Sequence, residues 1–281
     1  MSTLPYTPMM MKVSAASYDT NAQTYINAVI SAGGSLTTAQ QDGINRWFQD
    51  MKGVANGSYS TQNIFSQIKL AYLYTQGVSA ARDCINAVSP GTFNGTDTGS
   101  PTYNSTNLTV AFNGTSQYTN TNFTPNGESV TFANSDFTSL VTHRVDTNTD
   151  SNATIGEVGG GNSYQQISPT FPTLVMSGSS AISASSSNAV NGLWGASWAS
   201  SSTLNAYYNG SNIKTNSTSW GNTSSRSVLI GAFNNASPGF GGAITVDFIM
   251  ELKGALSDAN QLMFYNAGKA LKVALGGTAW L

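Results

Sequence analysis

The stretch DTNTDSNATIGE, residues 146 to 157, carries oxygen-bearing side chains at the spacing of a calcium loop. Asp146, Asn148, Asp150, Asn152, Thr154 and Glu157 fall at positions 1, 3, 5, 7, 9 and 12 of the twelve-residue template. A hard cation wants such oxygens. Two features oppose the match: Ser151 stands where the loop's sharp turn calls for glycine, and the flanks VTHRV and VGGGN lack helical periodicity. An Asn/Asp-rich turn between strands is the expectation. Asp146, Asn148, Asp150, Asn152 and Glu157 stand as the candidate calcium ligands, and no other cofactor is implied.

Acid–base chemistry on a sugar needs two carboxylates. Asp247 and Glu251 are the pair in the closing strand-like run, AITVDFIMEL. Four residues at strand rise set them about 13 Å apart, beyond the roughly 5 to 9.5 Å of glycosidase pairs. One or both are expected as solvent-facing strand charges. His143, the sole histidine, would have to serve any Ser-His-Asp arrangement, yet no G-x-S-x-G elbow accompanies it. It is expected at the surface, in a loop or strand. Gly159-Gly160-Gly161 lacks the lysine and the following helix of a phosphate loop. The expectation is a protein that is not an enzyme.

Sugar recognition asks for aromatic faces with amide and hydroxyl neighbours. Trp194, Trp198, Tyr207, Tyr208 and Trp220 supply the faces. Trp194 and Trp198 suit a sandwich core equally well. Trp220, in the loop-like TSWGNTSS, leads the glycan-binding candidates, with Tyr207 and Trp198 behind it.

The elements that would position these residues change character along the chain. Asp19 can cap a helix whose Tyr18, Ala22, Tyr25, Ile26 and Val29 share a face, ending at Gly33-Gly34. Thr37 and Gln40 form a capping-box pair before a stripe of Ile44, Trp47, Phe48 and Met51, stopped at Gly53. The spacing of Ile64, Phe65, Ile68 and Tyr72 predicts a third helix ending near Gly77, and a short helical piece follows Ser79. From about residue 90 the punctuation turns to Gly, Asn, Ser and Pro between short alternating runs. Leu108, Val110 and Phe112 alternate, as do Val130 and Phe132 briefly; Leu193 opens a further run. Leu204, Ala206 and Tyr208 lead into Asn209-Gly210, a hairpin signal. Residues 228–233 and 243–250 add strands. The spacing argues for an antiparallel sandwich. SGSSAISASSSN, residues 177–188, reads as a low-complexity loop. Ser257 can cap a closing helix with Ala259, Met263, Ala267, Leu271 and Ala274 at helical spacing.

Composition narrows the class. Only 9% of the 281 residues are charged, and the net charge is −2, so no basic stripe suits nucleic acid. Cys84, the single cysteine, allows no internal disulfide and is expected in the core. No apolar run approaches a membrane span, and the N-terminal residues do not read as a signal peptide. A surface rich in Ser, Thr, Asn and Gly looks extracellular, whereas the cysteine usage and missing export signal do not. A viral particle, folded in a host cytoplasm and released by lysis, reconciles the two.

Three pieces then fall in order: LNAYYNGSNI, VLIGAF and FGGAITVDFIMELKGALSDANQLMFY. Tyr207 to Gly210, Ile230-Gly231, Phe240 to Ile244 and Ala255 to Ser257 resemble the hairpin, strand and helix-start signatures of the concanavalin A-like sandwich of laminin-G/pentraxin type. SAGGSLTTAQQDGINRWFQDMKG followed later by VAFNGTSQYTNTNF is similar to virion proteins of tailed bacteriophages and prophages. The resemblance implies a mainly β jelly roll with a small N-terminal helical region and a C-terminal helix. It implies a structural component of the particle exterior: capsid decoration, head fibre or tail fibre. A host-receptor lectin is the alternative, and a polysaccharide-degrading enzyme is the distant one. The division read from the chain is an extended arm over 1–17, a helical docking region over 18–90 and the sandwich with its closing helix over 91–281. Met9, Met10 and Met11 are the candidate assembly anchor. The expected partners are other virion proteins, further copies of this chain and host surface glycans, on the exposed surface of a virion.

Overall fold

Asp19 opens α1 (Thr20–Ser31), its carboxylate accepting from the N–H groups of Asn21 and Ala22. Thr37 opens α2 (Thr38–Lys52) in a reciprocal capping box with Gln40, and Gly53, at φ 65°, ends it. Both boundaries follow the capping residues in the sequence. The computed structural model describes residues 17–54, 63–124, 137–143, 152–159, 161–167, 173–176, 181–183, 192–200, 202–217, 226–235, 237–240 and 243–277.

The third helix expected from Ile64 to near Gly77 does not form. A single 3-10 turn, Phe65–Gln67, leads into β1 (Ile68–Tyr72), which pairs antiparallel with a strand near the other end of the chain. The reason lies in its burial on both faces. Ile68 and Ala71 enter one core while Leu70 and Tyr72 enter another, so Lys69 is the run's single polar residue and too little alternation remains to set its period. The short helix after Ser79 is present as α3 (Ala80–Asp83).

Short strands follow: β2 (Thr96–Thr98), β3 (Thr102–Asn104), β4 (Thr109–Phe112) and β5 (Tyr118–Asn120). Then come β6 (Phe137–His143), β7 (Asn152–Gly159), β8 (Gly161–Ile167), β9 (Thr173–Met176) and β10 (Ala181–Ser183). Next are β11 (Gly192–Ser200), β12 (Thr203–Tyr208), β13 (Ser211–Ser217), β14 (Leu229–Ile230) and β15 (Phe233–Asn235). The last are β16 (Ser237–Gly239), β17 (Ile244–Val246) and β18 (Ile249–Lys253), before α4 (Asp258–Leu275). Two expectations are corrected by this order. The low-complexity tract 177–188 contributes β10, which pairs with β9. The single closing strand expected over 243–250 is two, β17 and β18, in different sheets, because the chain crosses between layers at Asp247.

The fold is an antiparallel β-sandwich with helices on its outside. A six-stranded sheet runs β1-β18-β6-β11-β12-β13. Opposite it lie the sheet β10-β9-β8-β7-β14-β5-β2, extended by the β15–β16 hairpin, and the three-stranded sheet β17-β4-β3. Leu70, Trp194, Leu204, Val110, Ile230 and Ile249 fill the space between the layers. The other face of the six-stranded sheet is covered by α1, α2 and α4. There Ile26, Trp47, Phe48, Phe248, Met250 and Phe264 share one core. Full burial of each such side chain contributes about 1.5–3 kcal/mol, well above the tenths supplied by helix propensity. The helices of the 18–90 stretch therefore pack on the sandwich itself. Gln40 adds a direct tie, its Nε2 donating to the carbonyl of Leu275 at the far end of α4 (2.9 Å).

Candidate functional site

β13 is the last strand of the six-stranded sheet, and its residues are exposed apart from the half-buried Asn216. The β12–β13 turn is Asn209-Gly210, with φ of 49° and 77°, the left-handed pair of a tight hairpin. A Cβ on Gly210 would lie 2.7 Å from Leu262 Cα, so glycine lets the turn press against α4. Ser257 caps that helix at the Asn260 N–H (3.3 Å). Just upstream, the Leu256 N–H donates to Ser197 Oγ (3.1 Å), fixing the helix start over the sheet.

Across this junction runs a ladder of side-chain hydrogen bonds. Asn212 Nδ2 donates to Thr215 Oγ1 (3.4 Å), and Thr215 donates to Asn205 Oδ1 (2.8 Å). Asn205 Nδ2 donates to the Tyr207 hydroxyl (3.2 Å), which donates to Asp258 Oδ1 (2.8 Å). Strand register explains the alignment: Asn205 pairs with Thr215 and Tyr207 with Asn212, so all four leave the same face. Asn212, Thr215 and Asp258 are exposed and Asn205 is half-buried. Burial, and then the bond to Asp258, push the Tyr207 phenol above its ordinary range, so it stays a neutral donor. Two of the exposed large apolar side chains belong to the same two elements, Ile213 (36%) in β13 and Leu262 (47%) in α4. Such a surface offers fixed donors and acceptors beside small apolar patches.

Tyr207, expected as a glycan-stacking aromatic, is 1% exposed. Its ring is covered on the helix side of the sheet and only its hydroxyl takes part in the ladder. Trp194 is fully buried and packs on Tyr208 at 4.8 Å between centroids. Trp198 lies in β11, opposite Leu204, and its side chain is outside the described residues. Trp220 and Met9, Met10 and Met11 also lie outside them, as do Asp146, Asn148 and Asp150. Asn152 and Glu157 belong to β7, paired with Ile167 and Ser163. Strand rise spreads their backbones over about 16 Å, so the second half of the calcium template does not curl as an ion-binding loop does. His143 ends β6 opposite Gly192.

The described carboxylates mostly hold structure. Asp247 and Glu251, at least one of them expected in solvent, are each 1% exposed. Asp247 marks the crossing between layers. Glu251 pairs with Leu70, an inter-sheet core residue, and so shares its inward face. Asp83 accepts from the N–H groups of Gln76, Gly77, Val78 and Ser79 at 2.7–3.1 Å, pinning that turn. Among the described residues no three His, Cys, Asp or Glu side chains gather as metal ligands would, and no helix is long and apolar enough to cross a membrane. The ladder joins residues 205–215 to 258, and nothing local in the sequence announces that contact.

No protein-family model and no curated protein matches the sequence. Solved structures do resemble the fold. The binding domain of botulinum neurotoxin serotype D superposes with a TM-score of 0.53 at 8% identity, covering 73% of this chain and 53% of that one. The binding domain of botulinum neurotoxin DC, in complex with SialylT, gives 0.55 at 12% identity, covering 73% and 52%. The binding domain of Paraclostridial Mosquitocidal Protein 1 gives 0.54 at 14% identity, covering 73% and 53%. The chain thus spans about half the length of these domains, and at such identities the likeness is one of fold.

Proposed function

We propose that this chain is a lectin-like binding module that attaches to glycans or receptors on a cell surface, and that it is not an enzyme. The observation that carries the reading is the ladder from Asn212 to Asp258, exposed at Asn212, Thr215 and Asp258, on a sandwich similar in fold to receptor-binding domains. Neutral amides and hydroxyls held in place before a ligand arrives lose little freedom on binding. The similar domains support the same reading: the neurotoxin DC domain is described with rat synaptotagmin II and with SialylT, and cell entry by neurotoxin C depends on two gangliosides. The buried Asp247 and Glu251, held within the fold, support binding over hydrolysis. A glycan array probed with the whole chain tests this. Retention on a defined set of saccharides is expected; release of reducing sugar from a bound polysaccharide would overturn the non-enzymatic part.

A second reading sets the module on the exterior of a bacteriophage particle, as decoration or fibre. The resemblance of residues 31–53 and 110–123 to virion proteins favours it. In this setting the N-terminal part docks on other virion proteins or further copies of the chain, and the sandwich faces out. Mass spectrometry of purified particles should find the chain, and deleting residues 1–17 should abolish its incorporation. Normal loading of the truncated chain would remove the arm, with Met9 to Met11, as the anchor.

A further inference from the structure

We infer that the junction of β13 with the first turns of α4 binds a neutral saccharide through Asn212, Thr215 and Asp258. The assignment rests on the binding-module reading and names its ligand class and contacts. Sugar hydroxyls both donate and accept, and the ladder presents both functions side by side. The Asn212 amide offers a donor and an acceptor, Thr215 a hydroxyl, and the Asp258 carboxylate has room for donors beyond Tyr207. A hydrogen bond to that ionised acceptor is the strongest on offer.

Gln261 points the same way independently. It is fully buried, and neither its Oε1 nor its Nε2 has a partner within the protein. Helical side chains lean toward the helix N-terminus, so this amide stands over the turn that carries Asp258. A buried amide left unbonded costs about 1–3 kcal/mol, and because Gln261 has no exposed surface it would be satisfied by a water enclosed beneath a bound sugar, not by the sugar itself. Leu262, exposed on α4 beside the β12–β13 turn, is the apolar contact for the C–H face of a pyranose.

Charge selects the neutral class. Asp258 is the one ionised group of the ladder. Lys214, the cation of β13, pairs with Ala206, an inter-sheet residue, so its side chain leaves from the opposite face. Lys269 lies over the Tyr265 ring, 5.7 Å from its centroid and further along α4. A sialic acid carboxylate or a sulfate would therefore meet a carboxylate and, among the described residues of β13 and α4, no facing cation.

The test titrates the whole chain with neutral oligosaccharides of gluco, galacto and manno configuration and with sialylated and sulfated counterparts, read by saturation-transfer NMR and calorimetry. The variants are Asn212→Ala with Thr215→Val, both at exposed sites, and Trp220→Ala as a contrast; thermal melts verify that each folds. The expected result is binding of a neutral saccharide, weakened roughly tenfold or more by the double variant and unchanged by Trp220→Ala. Neutral binding that the double variant leaves intact would overturn this site and leave the lectin reading standing. Binding confined to sialylated or sulfated sugars would overturn the neutral class. Binding of none of them would overturn the lectin reading together with this assignment.

Discussion

Lys272 of α4 donates its ammonium to the carbonyl oxygen of Leu73 at 2.9 Å, joining the C-terminal helix to the chain just beyond β1. The carbonyls of Tyr74 (3.3 Å) and Leu108 (3.4 Å) also accept from it, and the Tyr74 ring lies 5.9 Å away. The side chain is fully buried. Cutting it back leaves carbonyls without their donor and a hole between helix and sheet. Lys272→Ala should therefore cost about 3 kcal/mol, which for a chain of this size lowers Tm by roughly 6–12 °C. Scanning calorimetry checks it; a shift below about 2 °C would show that the cage is not a stabilising tie.

Gly43 of α2 faces Ala274 of α4 so closely that a Cβ on Gly43 would overlap the Ala274 Cβ. Helix propensity alone favours Gly43→Ala by about 1 kcal/mol, while overpacking costs about 1–3 kcal/mol. The steric term should win, giving net destabilisation in urea titrations. The swap Gly43→Ala with Ala274→Gly keeps one methyl at the contact and should recover most of the loss. If the single variant is as stable as the parent, the two helices have room to part.

The capped ends show which parts of this architecture the sequence carries. Asp19, the Thr37–Gln40 pair and Gly53 each satisfy or release backbone groups within a few residues, so α1 and α2 are readable from local chemistry alone. Asn209-Gly210 fixes its hairpin for the same reason. Residues 64–72 are different: Ile68, Leu70, Ala71 and Tyr72 are wanted by two cores at once, and an apolar run of that length fits either period. What decides is distant. Asn86 Oδ1 accepts the Ala71 N–H (3.1 Å) and Asn86 Nδ2 donates to the Lys69 carbonyl (3.1 Å), completing the outer edge of β1. Tyr207 is covered for a similar reason, because α4 lies over its face of the sheet. Glu251 reads as a surface charge only until β18 is known to sit between β1 and β6.

Asp97 and Asp19 should respond to pH in opposite senses. Burial raises the Asp97 carboxyl against the lowering effect of the Thr119 and Tyr103 hydroxyls, which donate to it at 2.6 and 3.0 Å. With the folded pKa above the unfolded one, the associated stability is fully present below the unfolded value and is lost as pH rises through the folded one. Asp97→Asn cannot ionise, so its stability relative to the parent should be greater at pH 7 than at pH 4. For Asp19, desolvation acts upward but is outweighed by the Lys52 ammonium and the Asn21 and Ala22 N–H groups, which hold the pKa below the carboxylate range. Its stability is present above the unfolded pKa and lost as pH falls through the depressed folded one. Asp19→Asn should therefore be at its greatest disadvantage at pH 7 and draw level in acid. Urea titrations measure the differences, at pH 7 and 4 for Asp97→Asn and at pH 7 and about pH 2 for Asp19→Asn; a difference that does not change with pH would refute the assignment.

Cys84 tests how firmly the inter-sheet core is closed. Its thiol is fully buried, with the Tyr74 hydroxyl at 3.8 Å and the Tyr103 hydroxyl at 3.7 Å. Desolvation first, and then the charge of Asp97, push its pKa up. The thiolate is the reactive form, so both access and ionisation are suppressed, and modification must wait for the layers to open. A disulfide reagent should label the denatured chain at one equivalent within minutes, and the native chain more slowly by orders of magnitude. Because opening would then limit the reaction, the native rate should climb as subdenaturing urea is added and respond little to reagent excess at saturation. Tyr103→Phe removes one neighbour and a donor to Asp97 while keeping the ring, and should speed labelling by loosening this corner. Rapid stoichiometric labelling of the native protein would mean that the two layers part far more readily than their packing implies.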